Sequence, residues 1–355
     1  MMLRLIILVA FMLVASKTGL SQELRRIFRH GELVLDEDTY WEGRVEHASW
    51  VDDEFVVFFA RGQVTCISTE TGEIQWTSEK IGRIFDWSLS RSTKRLAILD
   101  EQMQLFVIDC VTGTVIFHPS DEKLSELFGQ NFVGGIALIP TDGRLVIESA
   151  GSTFGRFGFV VSADYSKVEA TFDIDAYPRT ISISPDGKRI AVIADDEVVS
   201  VREILQNREV FFRGTRIHEA PEIRSYSIGE PFFSHVRDSG DTALVYVQDG
   251  GCWSTGTVTV HNLATEKSTT FCGRNGHVEL DVCFRTKRMA LTGTSKELAV
   301  LDFEGNVIAA AKSATANRNT SVEFSPSEDR LLVGSWDNTV CVFKLLETDN
   351  ATEHR

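Results

Sequence analysis

Thr320-Ser321-Val322-Glu323-Phe324-Ser325-Pro326-Ser327-Glu328-Asp329-Arg330-Leu331-Leu332-Val333-Gly334-Ser335-Trp336-Asp337-Asn338-Thr339-Val340-Cys341-Val342-Phe343 reads as strand, polar turn, Arg, apolar strand, short loop, strand. The chain writes this sentence seven times. The second-strand segments begin at Phe55, Leu96, Leu145, Ile190, Ala243, Met289 and Leu331, in steps of 41, 49, 45, 53, 46 and 42 residues. In five of them an Arg stands immediately before: Arg95, Arg144, Arg189, Arg288 and Arg330. Several strands per unit at roughly 40–50 residues is the mark of a β-propeller. The expected fold is all-β, a seven-bladed propeller over residues 22–346.

Turn chemistry punctuates the units. Pro185-Asp186-Gly187, Thr141-Asp142-Gly143 and Ser325-Pro326-Ser327 separate first from second strands, while Thr71-Gly72, Thr112-Gly113 and Glu304-Gly305-Asn306 separate third from fourth. Pro suits the first corner of a turn, Gly supplies positive φ, and Asp and Ser bond their own backbone. First strands are expected at His47–Val51, Ile84–Leu89, Gly134–Ile139, Thr180–Ser184, Pro231–His235, Leu280–Phe284 and Thr320–Phe324. One helix is expected over Asp121–Phe128, behind Ser120 as its N-cap. The last unit ends near Leu345 without a fourth strand, and residues 22–46 contain the apolar run Glu32-Leu33-Val34-Leu35. That run is expected to pair with the last blade and close the ring, removing an exposed sheet edge.

Arg4 followed by the unbroken apolar run Leu5–Ala15 reads as an export signal. A helix of that length rises about 16 Å, short of a hydrocarbon core of about 30 Å. Cleavage is expected after Ser21, with Ser16 as second choice, giving a secreted or periplasmic protein with no membrane span. The formal charge is −15, and loss of Arg4 and Lys17 takes it to −17, from 34 basic and 51 acidic residues. Such a body repels phosphate backbones, so nucleic acid is not an expected partner. The nine residues after Leu346 read as a flexible tail.

Cys66, Cys110, Cys283 and Cys341 sit inside strand-like segments and read as small buried hydrophobes. Cys252 and Cys272 lie in loop-like surroundings on one face, and a disulfide between them fits an oxidising compartment. Asn319-Thr320-Ser321 and Asn350-Ala351-Thr352 match glycosylation acceptors. Asp36-Glu37-Asp38, Asp52-Asp53-Glu54, Asp173/Asp175 and Asp195-Asp196-Glu197 read as charged hairpin tips. No catalytic motif, metal-ligand spacing or cofactor signature is found, so no catalytic residue, metal or cofactor is expected.

Ser335-Trp336-Asp337 with Thr339–Phe343, and Ser184-Pro185-Asp186-Gly187-Lys188-Arg189-Ile190-Ala191, resemble parts of a WD repeat; Gly276-His277 resembles that family's Gly-His pair. Cys66–Trp76, through Thr71-Gly72 to Trp76, resembles a quinoprotein repeat. The resemblance implies a propeller and leaves its activity open. Insertions at 117–131, 212–230 and 248–256 lengthen b–c and d–a connections, which emerge on one face of a blade whose strands are lettered a to d. With the Gly-rich loop at 151–158 they gather Phe154, Arg156, Arg216, His218, Arg224, Trp253 and Arg274. Arg and Trp on such loops are typical interface anchors. The expected function is a monomeric, non-catalytic scaffold for a protein or peptide partner. The alternative is an enzyme or small-ligand protein of quinoprotein or lactonase type, working at the channel mouth.

Overall fold

In a computed structural model of the chain, the structure describes residues 22–23, 25–30, 44–128, 133–149, 157–173, 178–194, 198–213, 235–241, 243–248, 257–272, 278–293, 297–311 and 319–345. Two N-terminal strands, β1 (Gln22–Glu23) and β2 (Arg25–His30), precede the blades. Blade 1 is β3 (Val45–Trp50), β4 (Phe55–Ala60), β5 (Gln63–Ser68) and β6 (Ile74–Thr77). Blade 2 is β7 (Ile84–Ser90), β8 (Arg95–Asp100), β9 (Leu105–Asp109) and β10 (Val115–Phe117), followed by α1 (Asp121–Phe128). Blade 3 is β11 (Val133–Leu138), β12 (Leu145–Ser149), β13 (Phe157–Val161) and β14 (Val168–Asp173). Blade 4 is β15 (Pro178–Ile183), β16 (Arg189–Ala194), β17 (Val198–Glu203) and β18 (Arg208–Arg213). Blade 5 is β19 (His235–Asp238), β20 (Ala243–Gln248), β21 (Thr257–Asn262) and β22 (Lys267–Cys272). Blade 6 is β23 (Val278–Cys283), β24 (Arg288–Gly293), β25 (Leu298–Asp302) and β26 (Val307–Ala311). Blade 7 is β27 (Asn319–Phe324), β28 (Arg330–Ser335) and β29 (Val340–Lys344), completed by β2.

Blades 1 to 5 are antiparallel sheets of four consecutive strands, blades 6 and 7 recruit β1 and β2, and first strands of successive blades touch around the ring, including β27 against β3. The second strands run apolar because both faces of each blade are covered. Leu96 and Ile98 pack toward blade 1, whereas Ala97 and Leu99 pack toward blade 3. The described core accordingly divides into seven clusters, one at each junction between blades. Period-two alternation on a twice-buried sheet is what builds the ring.

The repeated Arg has a physical task. Arg95 Nη1 donates to Ala163 O of the next blade at 2.6 Å, and Arg189 Nη1 to Asp241 O at 2.9 Å. Arg330 Nη2 reaches Asp53 at 3.3 Å across the closing junction. Trp76 docks in a similar way: its Nε1 donates to Cys110 O at 2.9 Å, and its ring fills the space where a Cβ on Gly113 would lie 2.7 Å away. Gly113 also has φ +75°, so glycine is required there twice over.

The ring is closed by an N-terminal strand, but the strand is Arg25–His30 rather than Glu32–Leu35, and the latter lies outside the described residues. Phe28 pairs with Val342 and Arg26 with Phe343. This segment carries three arginines and a histidine, and a fourth strand on the outer rim has a partner on one side alone, so apolar content is a poor guide to it. Gln22 and Glu23 add a fifth strand to blade 6, parallel to Ala309 and Ala310.

The first strand of blade 5 is a second correction: it is His235–Asp238, not Pro231–His235. Its last residue is a buried Asp where other blades place apolar side chains or Trp, which hid the register. The other six first strands fall within two residues of expectation. The helix forms as expected, Ser120 Oγ accepting the Lys123 N–H at 3.3 Å while Leu124 and Leu127 pack on the core. Cys66, Cys110, Cys283 and Cys341 are buried, and burial pushes the Cys66 thiol up to about 12. Asp52 and Asp53 do cap a hairpin tip, binding the Phe55 N–H and, across the closing junction, the Ser327 N–H. Asn319 is buried and its amide donates to Thr292 Oγ1, so the folded protein does not offer it as a glycosylation acceptor. Asn350 lies outside the described residues, as does Cys252; Cys272 is placed only as the end of β22.

Candidate binding site at the central channel

The first strands surround a channel of about 1440 Å³. Two layers of residues hold equivalent register positions around it. One is His47, Asp86, Gly135, Glu279 and Ser321, with Thr180 and His235 at the same backbone position. The other is Ser49, Ser88, Ala137, Ser182, Arg237, Asp281 and Glu323. Both are polar or small for a reason that starts in the backbone. An innermost strand has no neighbour on the axis side, so half of its N–H groups need other partners.

Each blade supplies those partners to the next. The Ile136 N–H donates to Asp86 Oδ2 at 2.7 Å, and the Leu138 N–H to Ser88 Oγ at 2.8 Å. The Phe324 N–H donates to Asp281 Oδ2 at 2.8 Å, and the Trp50 N–H to Glu323 Oε2 at 3.1 Å. On the side of the a–b turns, Arg91 reaches from blade 2 past blade 1 to Glu323, and donates to Phe324 O at 2.8 Å. Arg237 Nε lies 3.7 Å from Asp281 on the next blade. These charges brace one mouth of the channel.

Burial alters the acids of the wall. Asp86 is pushed up to about 6 by burial, against the two backbone N–H groups it accepts. Burial likewise raises Asp238 to about 6, against the Gly240 N–H and Arg189. Asp238 Oδ2 has no partner among the described residues. Glu46 is raised by burial in spite of Arg44 and Arg83, and Glu323 by burial in spite of Arg91.

The sign of the resulting pH dependence is fixed by where the proton sits. Between the ordinary carboxylate range and about pH 6 the folded protein keeps a proton on Asp238 that the unfolded chain has released. Stability from this group is therefore complete below about pH 4, falls as pH rises toward 6, and is flat above. Raising the value from 3.8 to about 6 corresponds to at most about 3 kcal/mol. Asp238→Asn is expected to flatten the urea midpoint between pH 4.5 and 7 relative to the parent. An unchanged pH slope in the variant counts against this reading.

The opposite mouth is built differently. Five first strands carry a β-bulge at the same register, inserting Glu46, Phe85, Gly134, Arg179 and Thr320 as extra residues. A bulge bends its strand and re-aims a side chain, and bulges are enriched beside functional sites. Phe85 is 51 % exposed although it stands on an innermost strand lining the channel. Around it Arg83 pairs with Glu101 at 2.9 Å and Arg44 with Glu46 at 3.5 Å, while the Arg44 guanidinium lies 5.2 Å from the Trp336 ring centre. All five bulges lie at the end of the first strands where the d–a connections enter.

Phe154, Arg156, Arg216, His218, Arg224, Trp253 and Arg274 all lie outside the described residues. The strand ends that flank them are described: Ser149 and Phe157, Arg213 and His235, Gln248 and Thr257, Cys272 and Val278. By strand direction these ends share the face that carries the bulges. Reading the sequence alone missed Glu46, Phe85, Asp86, Arg91 and Glu323. The Asp86/Ser88 alternation with Trp87 and Leu89 was a visible signal; Arg91, in a turn, offered none.

These features define the class: a closed seven-bladed β-propeller with a polar channel, one braced mouth and one bulged mouth. No protein-family model and no curated protein matches the sequence.

Proposed function

We propose that this chain is an exported, non-catalytic propeller of WD-repeat type that holds a protein or peptide partner over its bulged channel mouth. The observation that carries the reading is the alignment of the five bulges, with the Phe85 ring left open at that mouth. Phe85 lines the channel together with Arg44, Arg83 and Trp336, and aromatic and Arg side chains are enriched among the residues that anchor partners. The insertion-bearing connections leave from the same side, which supports a surface wider than the channel itself. The acidic body argues against nucleic acid as the partner. Export rests on the apolar run after Arg4.

Asp86 invites an enzymatic reading, being a half-buried channel acid that titrates near pH 6. Its oxygens serve the backbone N–H groups of Trp87 and Ile136, which assigns it to holding strands together. Elemental analysis for calcium and an absorbance scan for a quinone separate the two readings. Bound cofactor near one per chain reverses the assignment.

The binding reading is tested by immobilising the protein and retaining partners from native extract. Phe85→Arg is expected to lower retention at least about tenfold, equivalent to about 1.4 kcal/mol. Glu70→Arg, on an exposed turn of the opposite face, is expected to leave it unchanged. Silence of Phe85→Arg together with Arg156→Ala and Trp253→Ala overturns it.

A further inference from the structure

The first described strand begins at the residue that export would make the first of the mature chain. Gly19-Leu20-Ser21 sets small residues three places and one place before a cut after Ser21, the pattern a signal peptidase accepts. β1 opens at Gln22, which pairs with Ala309 on the rim of blade 6. β2 follows at Arg25–His30 and closes blade 7. A cut between Ser21 and Gln22 therefore spares every described strand and leaves a glutamine at the new N-terminus.

We propose that Gln22 is a modification site: once freed, it cyclises to pyroglutamate and caps the segment that closes the ring. The proposal rests on the export proposed above. The chemistry belongs to any N-terminal glutamine. An α-amine titrates at about 8, so a share of it is an unprotonated nucleophile at neutral pH. Its nitrogen attacks the amide carbon of its own residue. The new N–C bond closes a five-membered lactam, the bond to the amide nitrogen breaks, and ammonia leaves with the proton displaced from the amine. No oxidant, reductant or second substrate is consumed.

The fold accepts the product at this position. A five-membered lactam fixes φ as the proline ring does, and such a ring belongs on an edge strand or at the first residue of a strand. Gln22 meets both conditions, because β1 is the outermost strand of its sheet and Gln22 begins it. The cap also has a task. Termini are where proteolysis concentrates, and aminopeptidases need a free amine. Here stepwise trimming would remove β1 and then β2, the strand on which closure depends. The lactam withdraws the amine and its charge together.

Intact-mass measurement of the full chain, expressed with its N-terminal segment and purified after export, tests the proposal. The parent is expected to begin at Gln22 and to be lighter than that sequence by one ammonia. Gln22→Ala, which has no amide to attack, is expected at full mass, with an amine that acylating reagents label and an aminopeptidase removes. The parent is expected to resist both. A chain that begins at Gln22 and keeps a free amine through storage at neutral pH overturns the proposal and leaves export standing. A chain that begins at any other residue overturns it, and one that retains Met1 overturns export as well. Resistance of Gln22→Ala equal to that of the parent overturns the protective task of the ring.

Discussion

Deletion of Gln22–His30 is expected to abolish cooperative folding. β2 supplies the fourth strand of blade 7, pairing from Arg25 with Lys344 to His30 with Val340. Without it the outer edge of β29 is open, along a strand whose Val340, Cys341, Val342 and Phe343 are all almost fully buried. Full burial of one such side chain is worth roughly 1.5–3 kcal/mol, so even partial exposure of four is comparable with a total stability of about 5–15 kcal/mol. Blade 6 loses its fifth strand in the same deletion. Far-UV circular dichroism through a urea titration is expected to show a broad, early transition or precipitation. A deleted protein that melts like the parent refutes closure by this segment.

Trp50→Ala is expected to cost about 3–5 kcal/mol, the usual loss for a fully buried large aromatic. Trp50 has no exposed surface, and it sits where blade 1 meets blade 7 among Val45, Val56, Leu332, Val340 and Val342. Its ring is bound as well as packed. Nε1 donates to Glu323 O at 3.2 Å, and the Arg330 guanidinium lies 5.0 Å from the ring centre. Trp50→Phe keeps most of the volume but leaves the Glu323 carbonyl without its indole partner, and should cost about 1–2 kcal/mol. The three urea midpoints are therefore expected to fall in the order parent, Phe, Ala. A parent-like midpoint for Trp50→Ala shows that the closing junction is sealed elsewhere.

Both results concern closure, which is where sequence and structure part company. The blades were legible because each second strand is buried on both faces, leaving an apolar run such as Leu96–Leu99 between a turn and a loop. Tight turns at Gly113 and Gly187 have positive φ, which marks them in the sequence as glycines. The closing strand was hidden because Arg25–His30 lies on the rim, where charge protects the edge and alternation is not demanded. Asp238 hid the fifth first strand for a related reason, a charged residue holding a buried place.

The channel was legible only in part. Its polar layers follow from a backbone need for acceptors, so Asp86, Ser88 and Asp281 alternate with apolar neighbours as any strand with one polar face does. Nothing in that alternation says that Asp86 serves the next blade, because the partner is an N–H 50 residues away at Ile136. The bulges were invisible for the same reason. Inserting Phe85 or Glu46 leaves composition unchanged and only shifts the pairing of Ile84 and Val45 by one residue.

Native-state hydrogen exchange followed by mass spectrometry tests the closed ring most directly. The amides of Arg25–His30 that face β29 are predicted to exchange together with those of Val340–Lys344, as one slow unit opening with the whole protein. Free exchange across Arg25–His30 while Val340–Lys344 stays protected contradicts the account.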